Sequence, residues 1–278
     1  MVNILQAEIL KTVVAEECGL NMDVVVHESI DSTNSWALQQ CKTGKELPFA
    51  CFAEAQTQGR GRRGKHWLLP AGANIAMSLA WTFALSYRQM NLLPLSIAVA
   101  IAETLEDFGL EEVQIKWPND VYVQGRKISG ILIESQMAGG TRHVNREFGV
   151  IIGVGLNYDM SSLSGNSHQD LPVFTDFISE SKLQAINNEY GRIDVASKLL
   201  RSIVNICLNF QHDAKHNLER FRINYDFCKE KPVQLILDSG MVLEGVAQGV
   251  DEKAELRVIV DGEERCFNSA DVSVRPNP

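Results

Sequence analysis

The spacing of apolar residues divides the chain into a long mixed portion and a short all-β tail. Ile4, Leu5, Ile9, Val13 and Val14 recur at helical spacing and predict one amphipathic helix over residues 3–18. Val24-Val25-Val26, Phe49-Ala-Cys-Phe-Ala53 and Ala76-Met-Ser-Leu-Ala-Trp81 read as strands. Between Leu92 and Phe108, the residues Leu95, Ala98, Val99, Ala102, Leu105 and Phe108 recur every three to four positions. They predict the clearest helix in the chain, ended by Gly109. Phe148 to Asn157 is a buried strand with spaces at Gly153 and Gly155, and residues 193–224 are mostly helical. From Pro232 to Arg275 the pattern changes to short alternating runs separated by Asp238-Ser-Gly, Asp251-Glu-Lys and Asp261-Gly-Glu. That pattern predicts a small antiparallel barrel of about 45–50 residues, too small for a comfortable core of its own and expected to pack on the main domain. The division falls at residues 1–228 and 229–278.

One hairpin carries chemistry. Gln124-Gly125 reads as a two-residue turn between Asp120–Val123 and Arg126–Glu134. That register sets Tyr122 opposite Lys127 and Asp120 opposite Ser129, all four on one face. Asp120 and Lys127 then become diagonal neighbours about 7–8 Å apart. Such a gap suits two groups flanking a ligand better than a tight salt bridge. Gly130 inside the strand marks a close approach by a ligand. The alternative is a surface hairpin with a few solvated charges.

Two polar stretches add to this. Asp31, Ser32, Thr33 and Asn34 cluster where a strand runs into a helix. One of them suffices as an N-cap, and four also supply donors and acceptors for a ligand. Residues 54–64, Glu54-Ala-Gln-Thr-Gln-Gly-Arg-Gly-Arg-Arg-Gly64, carry no hydrophobic period and read as a loop. Its glycines allow close backbone approach, and Arg60, Arg62 and Arg63 bring forked donors suited to phosphate and carboxylate. The alternative is a solvated surface loop. Gly59, Gly61 and Gly64 match G-x-G-x-x-G formally, but Lys65-His66-Trp67-Leu68-Leu69-Pro70 is a poor helix start. No acid follows Glu54 until Glu103, so the dinucleotide reading is rejected. A Walker A loop is excluded too, for want of Lys-Ser or Lys-Thr after the last glycine.

Composition narrows the partners. The 278-residue chain has a formal net charge of -9, which argues against a general binder of nucleic acid or membrane surfaces. Its six cysteines are scattered without a C-x-x-C pair and read as reduced thiols of a cytoplasmic protein. No signal-peptide pattern opens the chain, and no apolar run is long enough to span a membrane. His212 and His216 have i, i+4 spacing but no further ligand nearby, and read as a solvated helix face; no metal site is expected.

Together the stretches Asp31-Ser-Thr-Asn34, Glu54-Ala-Gln56, Gly59–Gly64, Trp67, Gly72-Ala-Asn74, Lys116-Trp-Pro-Asn-Asp120, Lys127-Ile-Ser-Gly-Ile-Leu132 and Gly153-Val-Gly-Leu-Asn157 resemble the bacterial biotin–protein ligases. They fall in that family's order over nearly the whole chain, and the combination is far more specific than any piece. The resemblance implies an α+β fold: a mixed-sheet catalytic domain of the biotin/lipoate ligase type, followed by a small SH3-like barrel. It implies that biotin and ATP, with Mg²⁺, give biotinyl-5′-adenylate, and that the biotinyl group then passes to a lysine of the biotin carboxyl carrier protein of acetyl-CoA carboxylase. On the same basis, biotin falls to Ser32, Thr33, Asn34, Gln56, Arg60, Gly61, Arg62, Lys127, Gly130 and Gly153. The adenylate falls to Arg60, Arg62, Arg63, Trp67, Asn119, Lys127 and Asn157, with Phe174 as candidate adenine partner. Lys127, Asp120 and Arg62 are the expected catalytic groups, Asp120 as base or positioning group. Lys65 stands where the family's loop usually has another arginine. The 30 residues before Asp31 are too few for the winged helix of many relatives, so no DNA binding is expected. An exposed sheet edge offers a route to a homodimer. The rival readings are a lipoate or octanoate ligase or transferase of the same fold, and a biotin-responsive regulator.

Overall fold

The computed structural model describes residues 4–67, 70–83, 87–137, 148–163, 173–186, 190–269 and 272–276. The expected first helix is α1 (Ala7–Cys18), which buries Leu10 and Val14 and stops at Gly19 in the left-handed region. There follow β1 (Asp23–His27), α2 (Thr33–Lys42), β2 (Phe49–Ala53), β3 (Ile75–Phe83), the single turn α3 (Tyr87–Met90) and α4 (Leu93–Asp107). Then come β4 (Val113–Lys116), β5 (Asp120–Val123), β6 (Arg126–Met137), β7 (Phe148–Leu156), α5 (Phe177–Leu183) and α6 (Arg192–Arg220).

The strands form one mixed sheet in the order β1-β2-β3-β7-β6-β5-β4, in which the β1–β2 pair is parallel and the other pairs are antiparallel. Strand alternation sends residues to two cores. Phe49, Ala80 and Ile151 lie in one row across β2, β3 and β7 and pack with Ala37 of α2. Their neighbours Ala50, Leu79 and Ile152 face the larger core, which α4 and α6 fill. In α6 the buried stripe is Leu199, Leu200, Ile203, Val204, Cys207 and Phe210, while His212 and His216 are exposed as expected. The helix then passes into one π-helical turn, Phe221–Tyr225. Of the segment Asp159–Asp170, residues 164–170 lie outside the described residues.

The tail is a five-stranded antiparallel sheet of β8 (Pro232–Leu237), β9 (Val242–Val250), β10 (Leu256–Val260), β11 (Glu263–Phe267) and β12 (Val272–Pro276), in the order β11-β10-β9-β8-β12. Its inward residues Val233, Leu235, Val258 and Val274 belong to the same continuous core as the first sheet. The two sheets therefore share a core, which a unit this small needs. Trp117 is the chief tie at the junction: it is 1% exposed, and its Nε1 donates to the Ala254 carbonyl at 2.9 Å.

Candidate active site

The polar cluster supplies the N-cap and, around it, a network of side-chain hydrogen bonds. Ser32 caps α2, accepting from the Ser35 amide at 3.5 Å, and its own amide donates to Asp31 Oδ1 at 2.6 Å. Gln56, carried just past β2, accepts at Oε1 from the Thr33 amide at 2.8 Å and from Thr33 Oγ1 at 3.2 Å. Ser78 Oγ on β3 lies 2.8 Å from Thr33 Oγ1 and 2.5 Å from Asn34 Oδ1. Asn34 Nδ2 donates to Glu134 Oε2 at 2.9 Å and to the Leu132 carbonyl at 3.3 Å. Ser32, Thr33 and Asn34 are all buried, so unpaired groups there would be costly.

The hairpin departs from the expected register. Gln124 and Gly125 both have positive φ (49° and 72°), as a tight two-residue turn demands, and Tyr122 is opposite Lys127. A bulge between Val121 and Tyr122 then shifts the pairing, so that Asp120 faces Gly130 rather than Ser129. The expected open gap between Asp120 and Lys127 is also absent. Lys127 Nζ donates to Asp120 Oδ1 at 2.7 Å in a half-buried ion pair. The long lysine stem carries the ammonium to the carboxylate, which strand register alone does not show.

The glycines make room for protein side chains. A Cβ on Gly153 would lie 2.1 Å from Asn34 Oδ1, so this gap admits Asn34 rather than a ligand. A Cβ on Gly155 would lie 2.4 Å from the Trp67 ring, and one on Gly130 would lie 3.1 Å from it. Trp67 thus lies on a floor formed by Gly130 and Gly155, with Lys127 Nζ 5.3 Å from its ring centroid. Its Nε1 is buried without a hydrogen-bond partner among the described residues.

The Gly/Arg loop closes as a narrow irregular hairpin. The Trp67 amide donates to the Gly59 carbonyl at 2.9 Å, the Gly61 amide to the Lys65 carbonyl at 2.7 Å, and Arg62–Gly64 makes a short turn at the tip. Its arginines diverge. Arg60 Nη2 meets Glu134 Oε1 at 2.6 Å, and Nη1 meets Ser35 Oγ at 3.3 Å. Arg62 Nη1 donates to Asn119 Oδ1 at 3.1 Å, and its Nη2 donates to the Ser269 carbonyl of the C-terminal part. Arg63 reaches Asp238 at 2.8 Å and Ser273 Oγ at 3.3 Å. Burial pulls the Arg62 guanidinium below its ordinary pKa range, an effect opposed by the nearby Asp120 carboxylate.

The remaining candidates are supports around Lys127. Asn119 Nδ2 donates to the Ile131 carbonyl at 2.7 Å, and Asn157 Nδ2 donates to the Thr175 carbonyl at 3.0 Å. Residues 173–175 lie along the start of β6: the Lys127 amide donates to the Val173 carbonyl and the Thr175 amide to the Lys127 carbonyl, which sets Phe174 beside Lys127.

Sequence reasoning missed several residues here. Glu134 and Ser78 bind Asn34 from other strands. Lys116 faces Asp120 across the β4–β5 hairpin, and burial lowers its pKa against the pull of Asp120. Arg192, 1% exposed at the start of α6, pairs with Glu54 Oε2, while Glu54 Oε1 accepts from the Leu5 amide at 2.8 Å. Only Lys116 carried a signal that could have found it, its place in the Lys-Trp-Pro-Asn-Asp run.

The site is cationic, with Arg62, Lys116 and Lys127 grouped about the single carboxylate of Asp120. It can therefore receive an anion. Among the described residues the one convergence of three candidate metal ligands is Asp251, Glu255 and Cys266, on the C-terminal sheet. At the hairpin Asp120 is the carboxylate placed to join the oxygen ligands of a hard cation.

The family model described as "Biotin/lipoate A/B protein ligase family" matches residues 26–157, which hold every candidate from Ser32 to Asn157. The bifunctional ligase/repressor BirA of Escherichia coli (strain K12) is 31% identical over 256 residues, covering 91% of this chain and 74% of BirA. The chain belongs to the biotin/lipoate protein ligase family. Within that family it is similar to the biotin–[acetyl-CoA-carboxylase] ligase of Mycobacterium tuberculosis (strain ATCC 25618 / H37Rv), with 27% identity over 90% of this chain and 88% of that one. Its ligase-family fold matches the solved biotin protein ligase from Aquifex aeolicus in complex with biotin and ATP. That match has a TM-score of 0.71 at 21% identity, over 91% of this chain and 99% of the other.

Proposed function

We propose that the protein is an ATP-dependent biotin–protein ligase. It condenses biotin and ATP to biotinyl-5′-adenylate and pyrophosphate, then transfers the biotinyl group to a lysine of a biotin carboxyl carrier domain. The observation that carries this reading is the Lys127–Asp120 pair at the edge of the Gly130–Gly155 floor. The floor is deep enough for a flat apolar group, because an indole lies on it now, with an unsatisfied buried N–H. Biotin's thiophane ring and valeryl tail take that place when Trp67 shifts, and the ureido ring meets Ser32, Thr33 and Gln56.

Joining a carboxylate to a phosphate brings like charges together. The Lys127 ammonium offsets that repulsion at the reacting atoms, and Arg62 and Arg63 turn to the nucleotide as the loop closes, with Arg60 at the neck of the loop. Phe174, whose backbone bridges to Lys127, is the candidate aromatic for the adenine, and Asn119 and Asn157 hold the strand ends that frame it. Closure also keeps water from the mixed anhydride. In the second step the acceptor lysine must lose a proton, and Asp120 receives it once Lys127 is engaged with phosphate. Mg²⁺ enters with ATP and supplies charge neutralisation on the triphosphate. The reading carries with it the carrier protein of acetyl-CoA carboxylase as acceptor, a cytoplasmic setting and no DNA partner. A homodimer would form through a sheet edge, for which β1 at the end of the strand order is the candidate.

A biotin-dependent pyrophosphate-exchange assay tests the first step. Stabilisation that peaks in the transition state appears in rate, and loss of such a group costs about 10²–10³ in kcat. Lys127→Ala is expected to lose at least that order of exchange, and near-normal exchange would remove it from the reaction. Because the matched family also includes lipoate ligases, the same assay with lipoate and octanoate separates the rival enzyme. Sequence-selective retardation of a DNA fragment would favour a regulator.

A further inference from the structure

Glu134 stands on β6, further along the strand than Lys127, and none of the roles above uses it. Both of its carboxylate oxygens are committed. Oε2 accepts from Asn34 Nδ2 at 2.9 Å, and Oε1 accepts from Arg60 Nη2 at 2.6 Å. Asn34 belongs to the cluster that holds Thr33 and Gln56 through Ser78. Arg60 opens the Gly/Arg loop and pairs with His66 across its neck. One carboxylate therefore joins two elements that the sequence separates by 26 positions, from Asn34 to Arg60, and does so from a third element. Its side chain is 22% exposed, so these charge-assisted bonds are partly shielded from water.

We propose that Glu134 is a positioning residue that couples the pocket for the ligand's polar head to closure of the Gly/Arg loop. The inference rests on the biotin-ligase reading above. A head in the Ser32–Thr33–Gln56 pocket bears on Thr33, which shares Ser78 with Asn34, and Asn34 keeps Glu134 aimed at Arg60. The neck of the loop is then anchored while its tip, with Arg62 and Arg63, remains free to move to the nucleotide. A carboxylate is needed because both partners are donors. The Glu134→Gln substitution would turn an N–H₂ group towards one of them, so a neutral isostere satisfies only one arm.

The test measures two quantities: the KM for biotin in pyrophosphate exchange, and the adenylate released to solution when no carrier is present. For Glu134→Ala and Glu134→Gln, released adenylate is expected to rise about tenfold to a hundredfold, equivalent to about 1.4–2.7 kcal/mol at 1.36 kcal/mol per decade. The KM for biotin should rise more than kcat falls. Arg60→Gln, at a more exposed site and safe for folding, is expected to raise release by the same factor. The Glu134→Ala/Arg60→Gln double variant should release no more than either single, because both act through one bond. A purely structural carboxylate would lower Tm without raising release, and independent effects would multiply in the double variant; either result overturns the proposal. Wild-type protein without biotin-dependent exchange overturns the ligase reading and this inference together. Normal wild-type exchange, with release raised by Arg62→Gly but not by Glu134 variants, overturns the inference alone.

Discussion

Gly153 shows how a single missing side chain sets the site. The Asn34 carboxamide lies where a Cβ would stand, 2.1 Å from its ideal position, and is fixed there by Ser78, Glu134 and the Leu132 carbonyl. Asn34 cannot swing aside without stranding buried donors and acceptors. Gly153→Ala is therefore expected to cost about 1–3 kcal/mol, the usual penalty for overpacking a tight site. It should also raise the KM for biotin, since Thr33 shares the same cluster. Urea unfolding and the exchange assay check the two halves, and an unchanged urea midpoint would show that Asn34 yields freely. The glycine was visible as a gap in a strand pattern. Which side chain filled that gap was not, because Asn34 is 119 positions away in the chain.

At the scale of elements, the buried Glu54–Arg192 pair fastens three parts of the chain. Glu54 follows β2, Arg192 begins α6, and the Leu5 amide brings in the segment before α1. Arg192 also donates to the Asn74 carbonyl at 3.0 Å, next to β3. Removing one partner of such a pair leaves an uncompensated buried charge, at a cost of about 3–5 kcal/mol. Arg192→Met should lower the unfolding free energy by that order, and Arg192→Met/Glu54→Leu should recover part of it. If the double variant proves as unstable as the single, the hydrogen bonds to Leu5 and Asn74, rather than the charge, hold these elements together. The hairpin gives the complementary case. Its turn residues and its Tyr122–Lys127 pairing were legible from local chemistry alone. The bulge after Val121 was not, because a bulge inserts a residue without changing composition, and it decides which residue faces Asp120.

For the whole molecule, the important relation is between the Gly/Arg loop and the C-terminal sheet. Arg62 and Arg63, expected over phosphate, reach Ser269, Asp238 and Ser273 instead, and Trp117 of the Lys-Trp-Pro-Asn-Asp run donates to Ala254. The C-terminal sheet therefore bears on the site even though it contributes no candidate catalytic group. Trp117→Phe keeps most of the buried ring but leaves the Ala254 carbonyl without its donor. This should cost about 1–3 kcal/mol. The loss should fall first on the C-terminal part, so that a single cooperative unfolding transition splits into two in calorimetry. One transition with an unshifted midpoint would show that the shared apolar core alone joins the sheets.

By itself the sequence determined most of the elements and their order, though not α5 or β11, and the residue types that the polar stretches bring together. Apolar periodicity reports burial directly, and turns such as Gln124-Gly125 are written in local backbone preferences. The run of motifs from Asp31 to Asn157 also sufficed for the family, since they lie in the region that the family model matches. Tertiary structure alone decided which side chains meet. The closing of Lys127 on Asp120, the seating of Trp67 over Gly130 and Gly155, the division of Glu134 between Asn34 and Arg60, and the turning of Arg62 and Arg63 to the C-terminal sheet all join distant segments. No local period encodes such pairings. They follow from strand order, one bulge and the reach of long side chains, which become definite only when the sheets are assembled.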